Sequence, residues 1–131
     1  HATMFAQACR EIPCLGTTHA DNFYGPVPVT RSLVRQEVEH AYEARTGDAI
    51  VERMRGMKAL EVPGVLVANH GPFTWGKDAM ASATHAIVLE EVARMAKGTL
   101  EINSHTQPLP AYLLNKHYLR KHGKHAYYGQ K

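Results

Sequence analysis

The run Val65-Leu66-Val67-Ala68-Asn69 leads into His70, and Gly71-Pro72 follows it. An apolar run that ends in a His-Gly-Pro break places the imidazole where a strand stops and the chain turns. A side chain there projects from a rigid element into a cleft. Neutral imidazole is the commonest protein ligand for zinc and suits other divalent metals. A hydrogen-bonded turn histidine fits the same local pattern. Thr17-Thr18-His19-Ala20-Asp21 puts two hydroxyls, an imidazole and a carboxylate within five residues of a loop-like stretch. Asp21 is suited to general acid/base work with His19 beside it, or to an Asx or capping role. His85 falls in an apolar helical stripe and reads as a satisfied interior or interface histidine. Glu90 and Glu91 read as solvent-facing or paired charges, and Tyr127 and Tyr128 as phenols for proton transfer or packing.

The chain holds nine histidines among its 131 residues, a count that favours a catalytic or metal protein. No Gly-rich nucleotide loop, nucleophile elbow, HExxH or CxxC pair occurs. Cys9 and Cys14 have no second pair nearby for a thiolate zinc site and read as free thiols. Residue types alone therefore lead to a histidine-metal enzyme acting on something anionic.

The elements that must position these groups follow from periodicity. Ala2, Phe5, Ala6 and Cys9 share one helical face, under way from the first residue with no capping residue before it. Pro26-Val27-Pro28-Val29-Thr30 suits a short edge strand, because proline cannot donate into a central ladder. Val34, Val38, Ala41 and Tyr42 mark a second helix stopped at Gly47; Asp48 caps a third, bearing Ile50, Met54 and Met57. Residues 62–76 read as two strands around the His70 turn. A long helix capped by Asp78 follows, with Ala81, His85, Val88, Val92 and Met95 on one side and Gly98 near its end. Leu109, Tyr112, Leu113 and Lys116 begin a last helix that runs toward Gly123. Helices mixed with a few strands, without strict βαβ alternation, predict a layered α/β domain with partly antiparallel strands. So few strands suggest that part of the sheet lies upstream of residue 1.

Length and composition predict one domain, residues 1–131, with a real core. Hydrophobic residues at 44% argue against disorder. No apolar run reaches the roughly 20 residues a membrane helix needs, and no signal-peptide pattern opens the chain; a cytoplasmic protein with no membrane partner is expected. From Lys116 to Lys131 the basic residues Lys116, Arg120, Lys121, Lys124 and Lys131 stand with three histidines and no acid. Such a tail can meet a phosphorylated metabolite, nucleic acid or only water. No nucleic-acid-binding motif accompanies it, so no nucleic-acid partner is expected.

Several blocks carry a resemblance. Gly16-Thr17-Thr18-His19-Ala20-Asp21, Phe23-Tyr24-Gly25, Asn69-His70-Gly71-Pro72-Phe73-Thr74-Trp75-Gly76-Lys77, Ala86-Ile87-Val88-Leu89-Glu90-Glu91-Val92-Ala93, Lys116-His117-Tyr118-Leu119-Arg120-Lys121-His122-Gly123 and the ending Ala126-Tyr127-Tyr128-Gly129-Gln130 are similar to the L-ribulose-5-phosphate 4-epimerases of the class II aldolase family. The resemblance implies a three-layer α/β/α domain with a mixed, mostly antiparallel sheet. It implies interconversion of L-ribulose 5-phosphate and D-xylulose 5-phosphate by a retro-aldol and aldol sequence, with a divalent metal, usually Zn2+, as Lewis acid. By motif, His70 matches a metal ligand, Asp21 the acid/base aspartate, and Tyr128 a proton-transfer tyrosine. His117 matches a histidine near the substrate phosphate, supplied with the tyrosine by a neighbouring subunit. Thr17 and Glu43 match supporting residues. A homotetramer with active sites between subunits is implied as well.

One departure qualifies this. The family's His-x-His metal pair, its acidic partner and its phosphate-gripping Gly/Ser-rich elements have no counterpart in these residues, so an N-terminally shortened chain, inactive alone and with weak or absent metal binding, is expected. The alternatives are a related sugar-phosphate aldolase, such as fuculose-phosphate aldolase, and a non-catalytic remnant serving as an assembly partner.

Overall fold

A computed structural model describes residues 1–129; Gln130 of the ending motif and Lys131 of the basic tail lie outside the described residues. In chain order the elements are α1 (Ala2–Gln7), α2 (Thr17–Ala20), α3 (Arg35–Met54), β1 (Gly64–Val67), β2 (Gly71–Thr74), α4 (Ala79–Ile102) and α5 (Ala111–His122). The fold is of the α/β class, and its small sheet is antiparallel, with Val65 opposite Phe73 and Leu66 opposite Pro72.

Every residue of β1 is buried. Its outer neighbour is the segment predicted as an edge strand, which is reduced here to bridges. Leu66 donates to the Pro28 carbonyl at 2.8 Å and accepts from the Thr30 N–H at 2.8 Å, while Ile12 and Val27 exchange two bonds of 3.0 Å. Leu66 thus spends its backbone groups on the side away from β2. Pro72, opposite Leu66, sits at a pair that exchanges no ladder bonds, where a missing N–H costs nothing.

The core joins Ala2, Phe5 and Ala6 of α1 to Leu89, Val92, Ala93 and Ala96 of α4, with Ile12, Phe23, Val27 and Leu66 between. Leu89, Val92, Ala93 and Ala96 recur at i, i+3, i+4 and i+7 and form one face. This face is rotated from the predicted stripe. Leu89 and Val92 are buried, whereas Met95 is exposed. Asp78 caps α4 as expected, its carboxylate accepting the Ala81 N–H at 2.7 Å. The helix passes through Gly98 without ending there.

Two helix boundaries depart from expectation. Cys9 leaves the first helix in a left-handed conformation, φ 49°, so the buried face stops at Ala6. The break predicted at Gly47 falls instead at Ala41, whose φ of −159° and ψ of 49° interrupt α3. Gly47 is carried within the helix because neighbouring groups hold the turn. Thr46 bonds back to the Tyr42 carbonyl at 2.8 Å, and Asp48 pairs with Arg45 at 2.7 Å instead of capping. Met57 lies past the helix and packs against the core.

Candidate functional site

Asp21 closes the single turn of α2, its N–H bonded to the Thr17 carbonyl at 2.9 Å. Thr17 thereby shapes the turn through its backbone. Helix α5 docks on this turn because residues 117, 118, 121 and 122 fall on one face. Tyr118 is buried and stacks between Tyr24 and His122, each ring 4.5 Å from its own. The His122 Nε2–H donates to the Asp21 carbonyl at 2.8 Å. Burial pushes the Tyr118 phenol up to about 12, so it stays protonated.

The docking brings functional groups together across 96 to 99 residues of sequence. The His117 Nδ1–H donates to Asp21 Oδ1 at 3.1 Å, and one Arg120 nitrogen lies 3.2 and 3.3 Å from the two carboxylate oxygens. All three side chains are mostly shielded, at 19%, 17% and 22% exposure for Asp21, His117 and Arg120. They still reach solvent, as groups meeting a substrate must. The Arg120 guanidinium lies 4.2 Å over the Tyr128 ring. Tyr127 and Tyr128 both donate backbone N–H groups to the Arg120 carbonyl, at 2.9 and 3.1 Å. Asp21, His117 and Tyr128 of one chain thus gather around Arg120. His117 and Tyr128, which the resemblance implied would come from a neighbouring subunit, therefore stand beside Asp21 of their own chain. Arg120 itself was legible in the sequence only as part of the basic tail. Its spacing of three from His117 on one helix was the available signal.

His19, expected as the neighbour of Asp21 in the loop, turns inward instead. It is 4% exposed, lies edge-on to Phe23, and its Nε2–H donates to the Gly25 carbonyl at 2.8 Å. Burial lowers its pKa to about 4, against a weaker opposing effect of the Gly25 bond. It is a neutral structural group. Cys14 is equally inert, its thiol raised to about 11 by burial. Cys9 and Cys14 are both free, and His85 donates Nδ1–H to the Trp75 carbonyl at 2.7 Å, the satisfied role expected of it.

His70 stands in a second region. Val67 to His70 form the turn between β1 and β2, with Asn69 left-handed at φ 63° and the His70 N–H bonded to the Val67 carbonyl at 3.0 Å. Asn tolerates that conformation better than most residues. The imidazole is exposed, 5.8 Å from the Phe73 ring. It lines a cavity of about 350 Å3 with Tyr42, Glu43, Thr46, Ile50 and Phe73. His70 and Glu43 therefore share one cleft, both reaching solvent. Donor chemistry there suits a divalent cation, but a catalytic zinc takes three protein ligands. Among the described residues no group of three His, Cys, Asp or Glu is placed to hold an ion. The residues present do not by themselves form a metal centre. No helix is long and apolar enough to cross a membrane among the described residues.

The family described as Class II Aldolase and Adducin N-terminal domain matches residues 1–97. Proteins named L-ribulose-5-phosphate 4-epimerase UlaF from Salmonella paratyphi B and Salmonella typhi are each 53% identical over 131 residues, all of this chain and 58% of theirs. That from Salmonella paratyphi C is 52% identical over the same span. The chain thus spans little more than half the length of these relatives. Among solved structures, an L-fuculose 1-phosphate aldolase superposes with a TM-score of 0.68 at 17% identity, covering 88% of this chain and 49% of that one. At that identity the likeness concerns the fold.

Proposed function

We propose, for a chain that belongs to the class II aldolase and adducin N-terminal domain family, that the protein works as an L-ribulose-5-phosphate 4-epimerase, with residues 1–131 lying in a single class II aldolase/epimerase-like domain. The observation that carries this reading is the joining of Asp21, His117, Arg120 and Tyr128 into one solvent-reaching cluster. Inversion at C4 by retro-aldol cleavage and recapture needs a proton removed from the C4 hydroxyl and another returned on the opposite face of the aldehyde. Asp21, aimed by His117 and Arg120, is assigned one of these transfers and the Tyr128 phenol the other. His117 is assigned to the phosphate end of the substrate, and Thr17 and Glu43 to supporting the site.

A divalent cation, zinc by preference, would stabilise the enediolate left by cleavage as a Lewis acid. His70 is assigned as one of its ligands in an enzyme of the relatives' full length. His70 and the Asp21 cluster are held by different elements, the β1–β2 turn and the α2–α5 pair, which supports a homo-oligomer, a tetramer, with each site shared between copies. The reading places the protein in pentose metabolism, arabinose catabolism included, in the cytoplasm.

The test is conversion of L-ribulose 5-phosphate to D-xylulose 5-phosphate by the full-length gene product with added zinc. Epimerised product is expected; accumulation of released aldol fragments would identify a lyase instead. The 131-residue chain alone is expected to show no turnover with saturating zinc, since it supplies one of the three ligands a catalytic zinc takes.

A further inference from the structure

Helix α5 and the segment after it border a second, solvent-open cavity of about 410 Å3, lined by Tyr112, Lys116, Arg120, Lys124, His125 and Tyr127 among others. The remaining lining residues are Asn115, Leu119 and Gly123, so among the described residues no carboxylate side chain lines it. Cations near a helix C-terminus ordinarily offset the negative end of its dipole. That accounts for Arg120, Lys121 and His122 in the last turn of α5. It does not account for Lys116, further up the helix, nor for Lys124 and His125 beyond its end. Two of the last carbonyls are moreover already occupied. Gly123 donates to Leu119, and Tyr127 and Tyr128 donate to Arg120.

Lys116 lies 5.4 Å over the Tyr127 ring, and neither it nor Lys124 is within ion-pair distance of a carboxylate among the described residues. Arg120 spends one terminal nitrogen on Asp21, while its Nε is buried without a hydrogen-bond partner. A pocket lined by Lys116, Arg120, Lys124 and His125, with no Asp or Glu among its lining residues, lacks one component, an anion with several acceptor oxygens.

We propose that this cavity binds a small phosphorylated anion, held by Lys116, Lys124 and Arg120. The volume suits a small molecule. A bound anion accepting from Arg120 would stiffen the same guanidinium that grips Asp21, so the site adjoins the proposed catalytic cluster. The binding itself does not depend on the epimerase reading.

The test uses inorganic pyrophosphate as probe, titrated into the full-length gene product at low salt while backbone amide shifts are followed by NMR. Saturable shifts centred on residues 112–127 and extending to Asp21 are expected, with Kd at or below about 1 mM. The Lys116→Ala/Lys124→Ala double variant, folded by circular dichroism, should bind at least about tenfold more weakly. Lys58→Ala, which removes a cation paired with Glu61 elsewhere, should bind as the unaltered protein does. Absence of saturable shifts, equal binding by the double variant, or a single-stranded oligonucleotide binding there more tightly than pyrophosphate would each overturn the proposal.

Discussion

At the scale of single residues, burial and partners separate histidines that the sequence presents as equals. His117 and His19 lie on either side of the same α2–α5 junction. His117 reaches Asp21 and solvent, while His19 is sealed against Phe23 and Gly25. Asp21→Asn keeps the shape but removes the carboxylate that moves the proton. In an enzyme of the relatives' full length, turnover should fall about 10²–10⁴-fold, measured as kcat, with the thermal transition little changed. His19 makes a prediction of the opposite kind. Its folded pKa of about 4 lies below the 6.5 of an unperturbed histidine. Between those values the unfolded chain takes a proton that the folded chain refuses, so the stability it contributes is present above about pH 6.5 and is lost as pH falls toward 4. From pH 7 to pH 5 that amounts to about 2 kcal/mol. Urea unfolding at the two pH values should show the loss, and His19→Gln should remove most of it. The sequence showed His70 and Asp21 because turns and loops expose their chemistry in local punctuation. It hid the inward turn of His19, and the role of Arg120, because both depend on contacts that no local spacing encodes.

Elements were legible where a cap and a period agree. Asp78 begins α4 and Gly123 ends α5 as their positions predict, and the two strands flank the His70 turn. They were misread where a propensity was allowed to act alone. Gly47 costs a helix about 1 kcal/mol, but the Thr46 and Asp48 bonds hold the turn and the break moves to Ala41. The predicted α4 stripe was turned at its far end, where Met95 suits a core by type but is exposed, while packing against α1 selects the smaller Ala93 and Ala96; Val88 still packs against the core from its edge. Leu89→Ala should accordingly destabilise by about 2–5 kcal/mol in denaturant unfolding. Gly123 has a different importance. A Cβ there would lie 2.5 Å from the Leu119 carbonyl oxygen, so the chain could not turn back to bring Tyr127 and Tyr128 onto Arg120. Gly123→Ala should cost about 1–3 kcal/mol and lower the thermal midpoint. It should also reduce kcat more than Leu89→Ala does when both proteins are assayed fully folded.

At the scale of the whole molecule, the question is whether one copy can bring its own His70 to its own Asp21. His70 projects from the β1–β2 turn into a cleft walled by α3, and Asp21 is clasped by α5. His117 and Tyr128 stand beside Asp21 of their own chain and not, as the resemblance implied, beside a neighbour's. A shared site would therefore combine His70 of one copy with Asp21, His117 and Tyr128 of the next, and two inactive variants should then rescue one another. His70→Asn spoils the first half of every site and Asp21→Asn the second, so either homo-oligomer is dead. Mixed at equal amounts, unfolded together and reassembled at random, a site is intact when an Asp21→Asn copy supplies His70 and a His70→Asn copy supplies Asp21. In a closed ring this happens at about a quarter of the sites, and about that fraction of wild-type activity should return. Sites built within single copies would return none, because every copy then carries one lesion in its own site. Light scattering on the same samples checks that oligomers formed, so a null result with intact assemblies would place both halves in one chain and overturn the shared site.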